Sequence, residues 1–284
     1  MLERARGLSP HALRALAELE RQVVEADGGR LKLEWGTLEA RSGSQVEDLL
    51  WWQGEQLLGF LGLYAFGASC LELVGMVAPA ARRRGIATAL LDAALPLCRQ
   101  RNYPRALLVV PGASVAGSRL AQHRGATLDH SEHALVLLDR PSSGPEDPQV
   151  GLRRAVPADA AVVTALLEAA FGHPAPGLYE QLASENERTL LVEAAGTPVG
   201  TIRLTRRGDA AGVYGFAVDP DWQGRGIGRD VLRRVCHQLR GEGARRIGLE
   251  VAVDNESALG LYTSVGFTIV TTEDYYALTL GALE

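Results

Sequence analysis

The chain has 284 residues, of which 46% are hydrophobic and 22% charged, a usage typical of soluble globular proteins with room for two domains. The net charge of -5 gives no overall attraction to nucleic acid. The N-terminal residues are charged at once and no apolar run approaches the ~18 residues that cross a bilayer, so we expect neither a signal peptide nor a membrane partner. The three cysteines have no C-x-x-C spacing, which favours a reduced, cytoplasmic protein without a metal site.

The first half of the chain predicts a helix, then strands, a glycine-rich turn and a second helix. Ser9-Pro10 is typical of a helix start, with serine as the N-cap and proline in the first turn. Short apolar runs predict strands, at 49–52, 57–64, 71–77 and 106–110. The helix between the last two strands has an apolar stripe at a spacing of four, made of Ile86, Leu90, Ala94 and Cys98.

A proline-rich segment divides the chain near its middle. Three of the 13 prolines fall between Pro141 and Pro148, where they disfavour both a helix and a central strand. We therefore predict a first domain at 1–140, a linker at 141–149 and a second domain at 150–284. The second domain repeats the order of the first, with a helix from Pro157 to about Phe171, strands at 189–192, 199–204, 213–218 and 247–253, and a helix stripe of Ile227, Val231, Val235 and Leu239.

Glycine, proline and leucine positions recur in the two halves at a constant offset of 141 residues. The pairs are Gly59 and Gly200, Pro79 and Pro220, Gly85 and Gly226, Leu120 and Leu261, and Gly125 and Gly266. A period of this size indicates a duplicated domain rather than a solenoid. The alternation of strand and helix signals predicts an α/β fold, with a mixed sheet and helices on its faces.

A glycine-rich turn, residues 223–229, opens the long helix of the second copy. Glycine permits a positive φ and lets backbone N–H groups approach a ligand closely, and the helix N-terminus adds unpaired donors. Such a turn can hold a diphosphate, with Arg225 and Arg229 at its rim, although a plain strand-to-helix turn is the alternative. The dinucleotide motif G-x-G-x-x-G is not matched, because Arg229 and Val231 stand where a third glycine is needed.

In its wider context this turn resembles the signature Q/R-x-x-G-x-G/A of the GCN5-related N-acetyltransferase superfamily. The second copy meets the signature in full at Gln223, Gly226 and Gly228, and the first meets its looser form at Arg82, Gly85 and Ala87. The second copy further resembles bacterial N-terminal alanine acetyltransferases that act on ribosomal proteins, through Leu249-Glu-Val251, Asn255, Tyr262 and Tyr275-Tyr276. The tandem layout resembles mycothiol synthase. These resemblances imply two tandem domains of the superfamily, each with a mixed, mostly antiparallel sheet.

The resemblance implies transfer of an acetyl group from acetyl-CoA to a primary amine of a small molecule or a peptide N-terminus. Tyr262 is the expected general acid for the leaving thiolate and Glu250 the expected general base for the amine. On the residues alone, Tyr262 also fits a core aromatic and Glu250 a partly solvated strand residue. Acetyl-CoA is expected at Phe216, Ala217, Val218, Gln223, Gly224, Arg225, Gly226, Ile227, Gly228, Arg229 and Asn255, the last of which fits a helix N-cap equally well.

The first copy departs from this pattern at the positions that carry the chemistry. The offset of 141 places Val109, Ala121, Ser114 and Arg83 where the second copy has Glu250, Tyr262, Asn255 and Gly224. We expect a degenerate first domain, an active second domain and a monomeric chain. A non-catalytic acyl-CoA sensor or assembly module is the alternative function. The acceptor pocket is expected near Phe171, His173, Tyr179 and the run 273–276.

Overall fold

A computed structural model describes residues 1–65, 70–172, 178–183 and 188–281. The chain falls into two compact units, one of Met1–Glu132 with Thr271–Glu284 and the other of His133–Val270. Within the described ranges, no helix is long and apolar enough to cross a membrane.

The first unit contains a mixed sheet with helices on both faces. Its sheet has the order β1-β2-β3-β4-β5-β12, in which β4 and β5 are parallel and the other neighbours are antiparallel. The strands are β1 (Leu2–Ala5), β2 (Asp48–Gln53), β3 (Gln56–Tyr64), β4 (Cys70–Val77), β5 (Arg105–Pro111) and β12 (Thr268–Thr279), of which the part from Thr271 belongs here. The helices are α1 (Pro10–Asp27), α2 (Trp35–Glu39), α3 (Ile86–Gln100) and α4 (Val115–His123).

The second unit repeats this architecture. Its sheet has the order β6-β11-β10-β9-β8-β7, with a parallel pair of β10 and β11. The strands are β6 (Thr127–Leu137), whose part from His133 belongs here, β7 (Val150–Arg154), β8 (Arg188–Ala194), β9 (Thr197–Arg207), β10 (Ala210–Val218) and β11 (Arg246–Ala252). The helices are α5 (Ala160–Phe171), α6 (Leu178–Ala183), α7 (Ile227–Gly241) and α8 (Glu256–Val265).

The elements confirm the α/β class and the apolar stripes that the sequence predicts. The bounds of α3 and β5, moved by 141 residues, coincide at both ends with those of α7 and β11. The Ser9 side chain caps α1 by accepting from Ala12 N, which satisfies one of the unpaired donors of the first turn. In α7 the predicted stripe is buried against β9, β10 and β11, and consists of Ile227, Val231, Val235 and Leu239.

The last strand of the chain lies in the first unit, so the compact units differ from a division at residues 140 and 150. Residues 273–279 of β12 pair antiparallel with residues 105–111 of β5. The strand is held there by burial, because the side chains of Tyr275 and Tyr276 are part of the first unit's core. The unit boundary therefore follows strand pairing, which joins residues far apart in the chain.

The proline-rich segment is packed against the second unit. Ser142 N donates to Val265 O at 2.9 Å, and Arg233 Nη2 on α7 donates to Pro145 O at 2.6 Å. A Cβ added to Gly144 would lie 1.4 Å from Arg233 Nη1. A larger residue at this position would therefore require the Arg233 side chain to move.

Candidate active site

An opening between two parallel strands is the main feature of the second unit. Strand β10 pairs with β11 only from Ala210 to Gly212, although it continues to Val218. A register shift against β9 falls between Tyr214 and Ala217, where Gly215 has a φ of +51°. Glycine adopts such a positive φ readily, and the resulting β-bulge bends β10 where the strand leaves β11. The edge of β10 that faces β11 is thus unpaired beyond Gly212.

The glycine-rich turn lies at the end of that open strand. Gly224 and Gly226 have φ values of +73° and +84°, and Gly226 is the residue from which α7 starts. Gln223 Nε2 donates to Val218 O at 2.9 Å, which fixes the turn to the end of β10. The left-handed conformations expose backbone N–H groups at the helix N-terminus, where an anion is stabilised.

The side chains around the turn differ in what they can offer a ligand. Arg225 lies 4.6 Å from the Trp222 ring and donates to Asp221 O, while Arg229 donates to Ser264 Oγ at 3.0 Å. Both guanidinium groups are exposed and keep further N–H donors. Ile227 is buried, so only its backbone can reach a ligand.

The strand residues and Gly228 line the same corner. The nearest atoms to a Cβ built on Gly228 belong to Leu261, Phe216 and Val218, at 3.3 to 3.9 Å. Because Gly228 has no side chain, the first turn of α7 lies close to α8. Ala217 is buried and pairs with Thr201 of β9.

Tyr262 lies on α8 and packs in the second unit's core. Its ring is 8% exposed and meets Phe267 edge-on at a centroid distance of 6.2 Å. Burial raises the pKa of the Tyr262 hydroxyl to about 12, and no hydrogen bond to this hydroxyl is present among the described residues. The phenol is therefore protonated at neutral pH and is able to donate.

Glu250 lies on the far side of β11 from the core that contains Tyr262. Leu249 and Val251 point into that core, and side chains alternate along a strand, so Glu250 faces the side of the sheet that packs against α5. Its side chain is half-buried.

Asn255 caps α8. Its Oδ1 accepts from Ala258 N at 3.0 Å, which is the N-cap that the sequence allows as one reading. The exposed side chain keeps its amide donors. Ser114 makes the matching cap of α4 with Gly117 N in the first unit.

The first unit has the same turn, but its residues differ from those of the second unit. Arg82 donates to both carboxylate oxygens of Asp27 at 2.8 and 2.6 Å, and its Nε donates to Val77 O. Arg83 has a φ of +62°, so a residue with a Cβ takes the left-handed conformation of Gly224. The buried residues Val109 and Ala121 stand at the positions of Glu250 and Tyr262.

The expected acceptor residues are divided between the units. Phe171 and Tyr179 are exposed in the second unit, at 47% and 60%, and His173 lies outside the described residues. The run 273–276 belongs to the first unit. There Glu273 accepts from Arg30, and the Tyr275 hydroxyl contacts Lys32 Nζ and Glu132 Oε2 at 2.5 Å each. The run pairs with residues 108–111 of β5, and its place in the acceptor pocket stays a prediction.

Two stretches of the chain, residues 11–125 and 160–267, match the model of the Acetyltransferase (GNAT) family. The mycothiol acetyltransferase of Thermobispora bispora is 32% identical over 293 residues, which cover 94% of this chain and 96% of that protein. The N-alpha-acetyltransferase RimI of Mycobacterium tuberculosis is 38% identical over 113 residues, or 38% of this chain and 70% of that protein. A GCN5-related N-acetyltransferase structure from Sphaerobacter thermophilus has a TM-score of 0.82 at 20% identity, covers 100% of this chain and 97% of that one, and supports the fold.

The fold and the repeated glycine-rich turn define a tandem N-acyltransferase. The chain belongs to the acetyltransferase (GNAT) family, and both copies match it. The predicted fold, the tandem layout and N-acetyltransferase function are confirmed. Enzymes of this family take the acetyl group from acetyl-CoA.

Proposed function

We propose that the second unit is the active N-acetyltransferase of this chain and that it acetylates a primary amine by direct attack on acetyl-CoA. The observation that carries the proposal is the combination of an open β10 edge with the positive-φ turn at its end. Together they provide a strand edge for an amide-bearing chain and N–H donors for a diphosphate. Acetyl-CoA carries both groups.

The binding step follows from these two features. The diphosphate lies on the backbone N–H groups of residues 224–229, at the positive end of α7. The amides of the pantetheine arm pair with the free edge of β10 at residues 216–218, as an added strand does. The Asn255 amide donors and the exposed Arg225 and Arg229 contribute at the rim.

The chemical step needs one proton removed and one supplied. Glu250, directly or through a water, takes a proton from the substrate ammonium, and the free amine then attacks the thioester carbonyl carbon. A backbone N–H on the open part of β10 stabilises the resulting oxyanion, a contribution of about 3 kcal/mol for one well-placed donor. The C–S bond breaks, and Tyr262 gives its proton to the thiolate, which leaves as the CoA thiol.

The first unit has a structural role in this proposal, because it lacks both the acid and the base. The alternative function is a non-catalytic acyl-CoA-binding module, and the side chains of Val109 and Ala121 favour it for the first unit only. A cytoplasmic setting remains part of the proposal, as the scattered cysteines of the sequence favour it. We propose a monomer, since the tandem copies already form a pair within one chain.

The test is thiol release from acetyl-CoA with a panel of alanine-starting peptides, amino sugars and aliphatic amines. Tyr262→Phe removes the proton donor and keeps the buried ring, so we expect thiol release to fall by about 100-fold or more. The acetyl-CoA affinity should change little. Tyr103→Phe, at a half-buried tyrosine of the first unit, is the matched control and should keep wild-type activity.

An unchanged rate in Tyr262→Phe would remove this residue from the mechanism. Saturable acetyl-CoA binding without thiol release from any amine would contradict the catalytic proposal and favour the binding module. Acetyl transfer by a chain that carries both Tyr262→Phe and Glu250→Gln would assign the chemistry to the first unit.

A further inference from the structure

One face of the second unit's sheet packs against α5, and we call it the α5 face. Leu191 of β8 packs there with Val163 and Leu166 of α5. The register pairs Leu191 with Thr201 and Thr189 with Arg203. Because side chains alternate along a strand, Arg203 lies on the α5 face, as Glu250 does.

Arg203 is a half-buried cation on this face, and no carboxylate of the described residues forms an ion pair with it. Its guanidinium carbon stacks over the Tyr214 ring at 5.2 Å from the centroid, and Tyr214 is its direct partner on β10. Across the ranges that the structure describes, Arg203 makes no hydrogen bond and no ion pair. Within those ranges the five N–H donors of the guanidinium therefore have no acceptor.

The neighbouring arginines of the second unit behave differently. Arg188 is bidentate to Glu242, Arg234 donates to Asp230 and Val150 O, and Arg153 contacts Asp159 and Glu193. Each of them is matched by acceptors of the chain itself. A half-buried arginine without an acceptor is costly unless a ligand supplies one.

The first unit also stacks an arginine on a tyrosine, at other positions of the repeat, and there the charge is compensated. Arg41 lies 5.0 Å from the Tyr64 ring centroid, and its guanidinium is 3.1 Å from both Glu47 and Asp48. Asp48 pairs with Gly62, and the offset of 141 places these two residues where the second unit has Thr189 and Arg203. In the first unit, two carboxylates of the chain thus balance the stacked arginine, whereas the matching positions of the second unit are Arg188 and Thr189.

We propose that Arg203 binds a carboxylate of the acceptor, so that the substrate is a primary amine that also carries an acid group. This inference rests on the proposed function of the second unit and narrows its substrate. The Tyr214 ring holds the guanidinium plane in place, and the planar fork presents two parallel N–H donors to a carboxylate.

The sheet sets the distance between the two ends of such an acceptor. Arg203, Tyr214 and Glu250 lie on the neighbouring strands β9, β10 and β11. Tyr214 pairs with Arg203. Gly212 pairs with Gly248, and Tyr214 and Glu250 each follow two residues later on their strands. Two strand spacings separate Arg203 from Glu250 by roughly 10 Å or more at the backbone. The amine reaches Glu250 while the acid group reaches Arg203, so an acceptor of several bonds in length fits.

The duplication supports a role in the reaction. Where the second unit has Arg203, Glu250 and Tyr262, the first has Gly62, Val109 and Ala121. The stacked arginine at this strand position is therefore absent from the same copy that lacks the acid and the base.

The experiment compares straight-chain ω-amino acids with n-alkylamines of equal length, roughly five to nine carbons, which bracket the separation. We expect kcat/KM to be about 10- to 100-fold higher for the best amino acid than for its alkylamine. Arg203→Gln should abolish this preference by lowering kcat/KM for the amino acids far more than for the alkylamines, with acetyl-CoA binding intact. Arg203→Lys should restore part of it, and Arg246→Gln, at an exposed arginine of β11, is the control.

Binding of the same amino acids to the CoA-loaded chain, measured by calorimetry, separates this inference from the proposed function. Thiol release without any preference for the acids overturns the role of Arg203 and leaves the function standing. Binding of the acids that Arg203→Gln abolishes, without release from any amine, supports the carboxylate site and contradicts catalysis. Equal losses for acids and alkylamines in Arg203→Gln overturn the inference, and so does the absence of both release and binding.

Discussion

The strand before the glycine-rich turn is built differently in the two units. In the first, β4 pairs with β3 without a register shift and stays paired with β5 as far as Val74 and Val109. In the second, β10 has the bulge at Gly215 and leaves β11 after Gly212. The first unit therefore pairs residues 72–74 with β5, whereas the matching residues 213–215 of the second unit are unpaired on that side. Residues 75–77 and their counterparts 216–218 are alike in having no partner on that side among the described residues.

The turn itself is common to both units. Each long helix starts after a glycine in the left-handed conformation, Gly85 or Gly226. The two copies therefore share the backbone conformation of the turn, which the packing of the long helix requires, but they do not share the bulge. Exposure of a strand edge is costly unless a ligand pairs with it, so a copy without the chemistry gains from the additional pairing of residues 72–74.

We expect the largest effect on activity from Glu250→Gln, which removes from the second unit the carboxylate that the first unit also lacks. Loss of a general base lowers the rate by roughly 100-fold or more, so we expect a loss of that size in kcat/KM near neutral pH. The amide cannot accept a proton, so the dependence of kcat/KM on a basic group should also disappear from the pH profile. Steady-state thiol release between pH 6 and 9 gives both quantities.

Glu256→Gln is the control, since this exposed carboxylate lies in the first turn of α8. A Glu250→Gln chain that keeps the wild-type rate and pH profile would show that another group takes the proton. Glu250 would then not be the catalytic base that distinguishes the second unit from the first, and its exchange for Val109 would reflect packing alone.

A second prediction concerns Asp48, which the first unit buries where the second has Thr189. Burial raises the pKa of the Asp48 carboxyl from 3.8 to about 6, against the opposing effect of Arg41. The folded state therefore keeps a proton that the unfolded chain releases, and this contribution to stability is lost as the pH rises through about 6. A shift of this size corresponds to about 3 kcal/mol.

Hydrogen exchange of the β2 and β3 amides between pH 4 and 7 measures this loss in the first unit. Asp48→Asn should remove the pH dependence of the protection of these amides. Glu55→Gln, in the exposed turn between these strands, should keep it. The same pH dependence in Asp48→Asn would assign the titration to another group.

Local patterns predicted the helices and the turn, because each of them depends on residues close in the chain. The stripe of α7 and the cap at Ser9 are of this kind. The partner of the last strand could not be predicted, since Tyr275-Tyr276 indicates a strand without saying which sheet it joins. Arg203 was missed for a related reason: an arginine in an amphipathic strand reads as solvated until the burial of its face is known.

The smallest expected effect concerns the stability of the turn in each unit, because Arg83 and Gly224 share one backbone conformation. A residue with a Cβ in the left-handed region costs about 1 kcal/mol relative to glycine, so Arg83→Gly should stabilise the first unit by about that amount. Gly224→Ala should cost the second unit the same, since a Cβ at Gly224 meets no atom within 4 Å. Differential hydrogen exchange of α3 and α7 measures both changes.

Acetyl-CoA affinity then separates strain from binding. Gly224→Arg adds a side chain beside the N–H groups that hold the diphosphate, so we expect weaker binding than in Gly224→Ala. Arg83→Gly should leave the affinity unchanged, because the proposed site lies in the second unit. If Arg83→Gly instead altered acetyl-CoA binding while Gly224→Arg did not, the coenzyme would belong to the first unit, and the bulge of β10 would need another explanation.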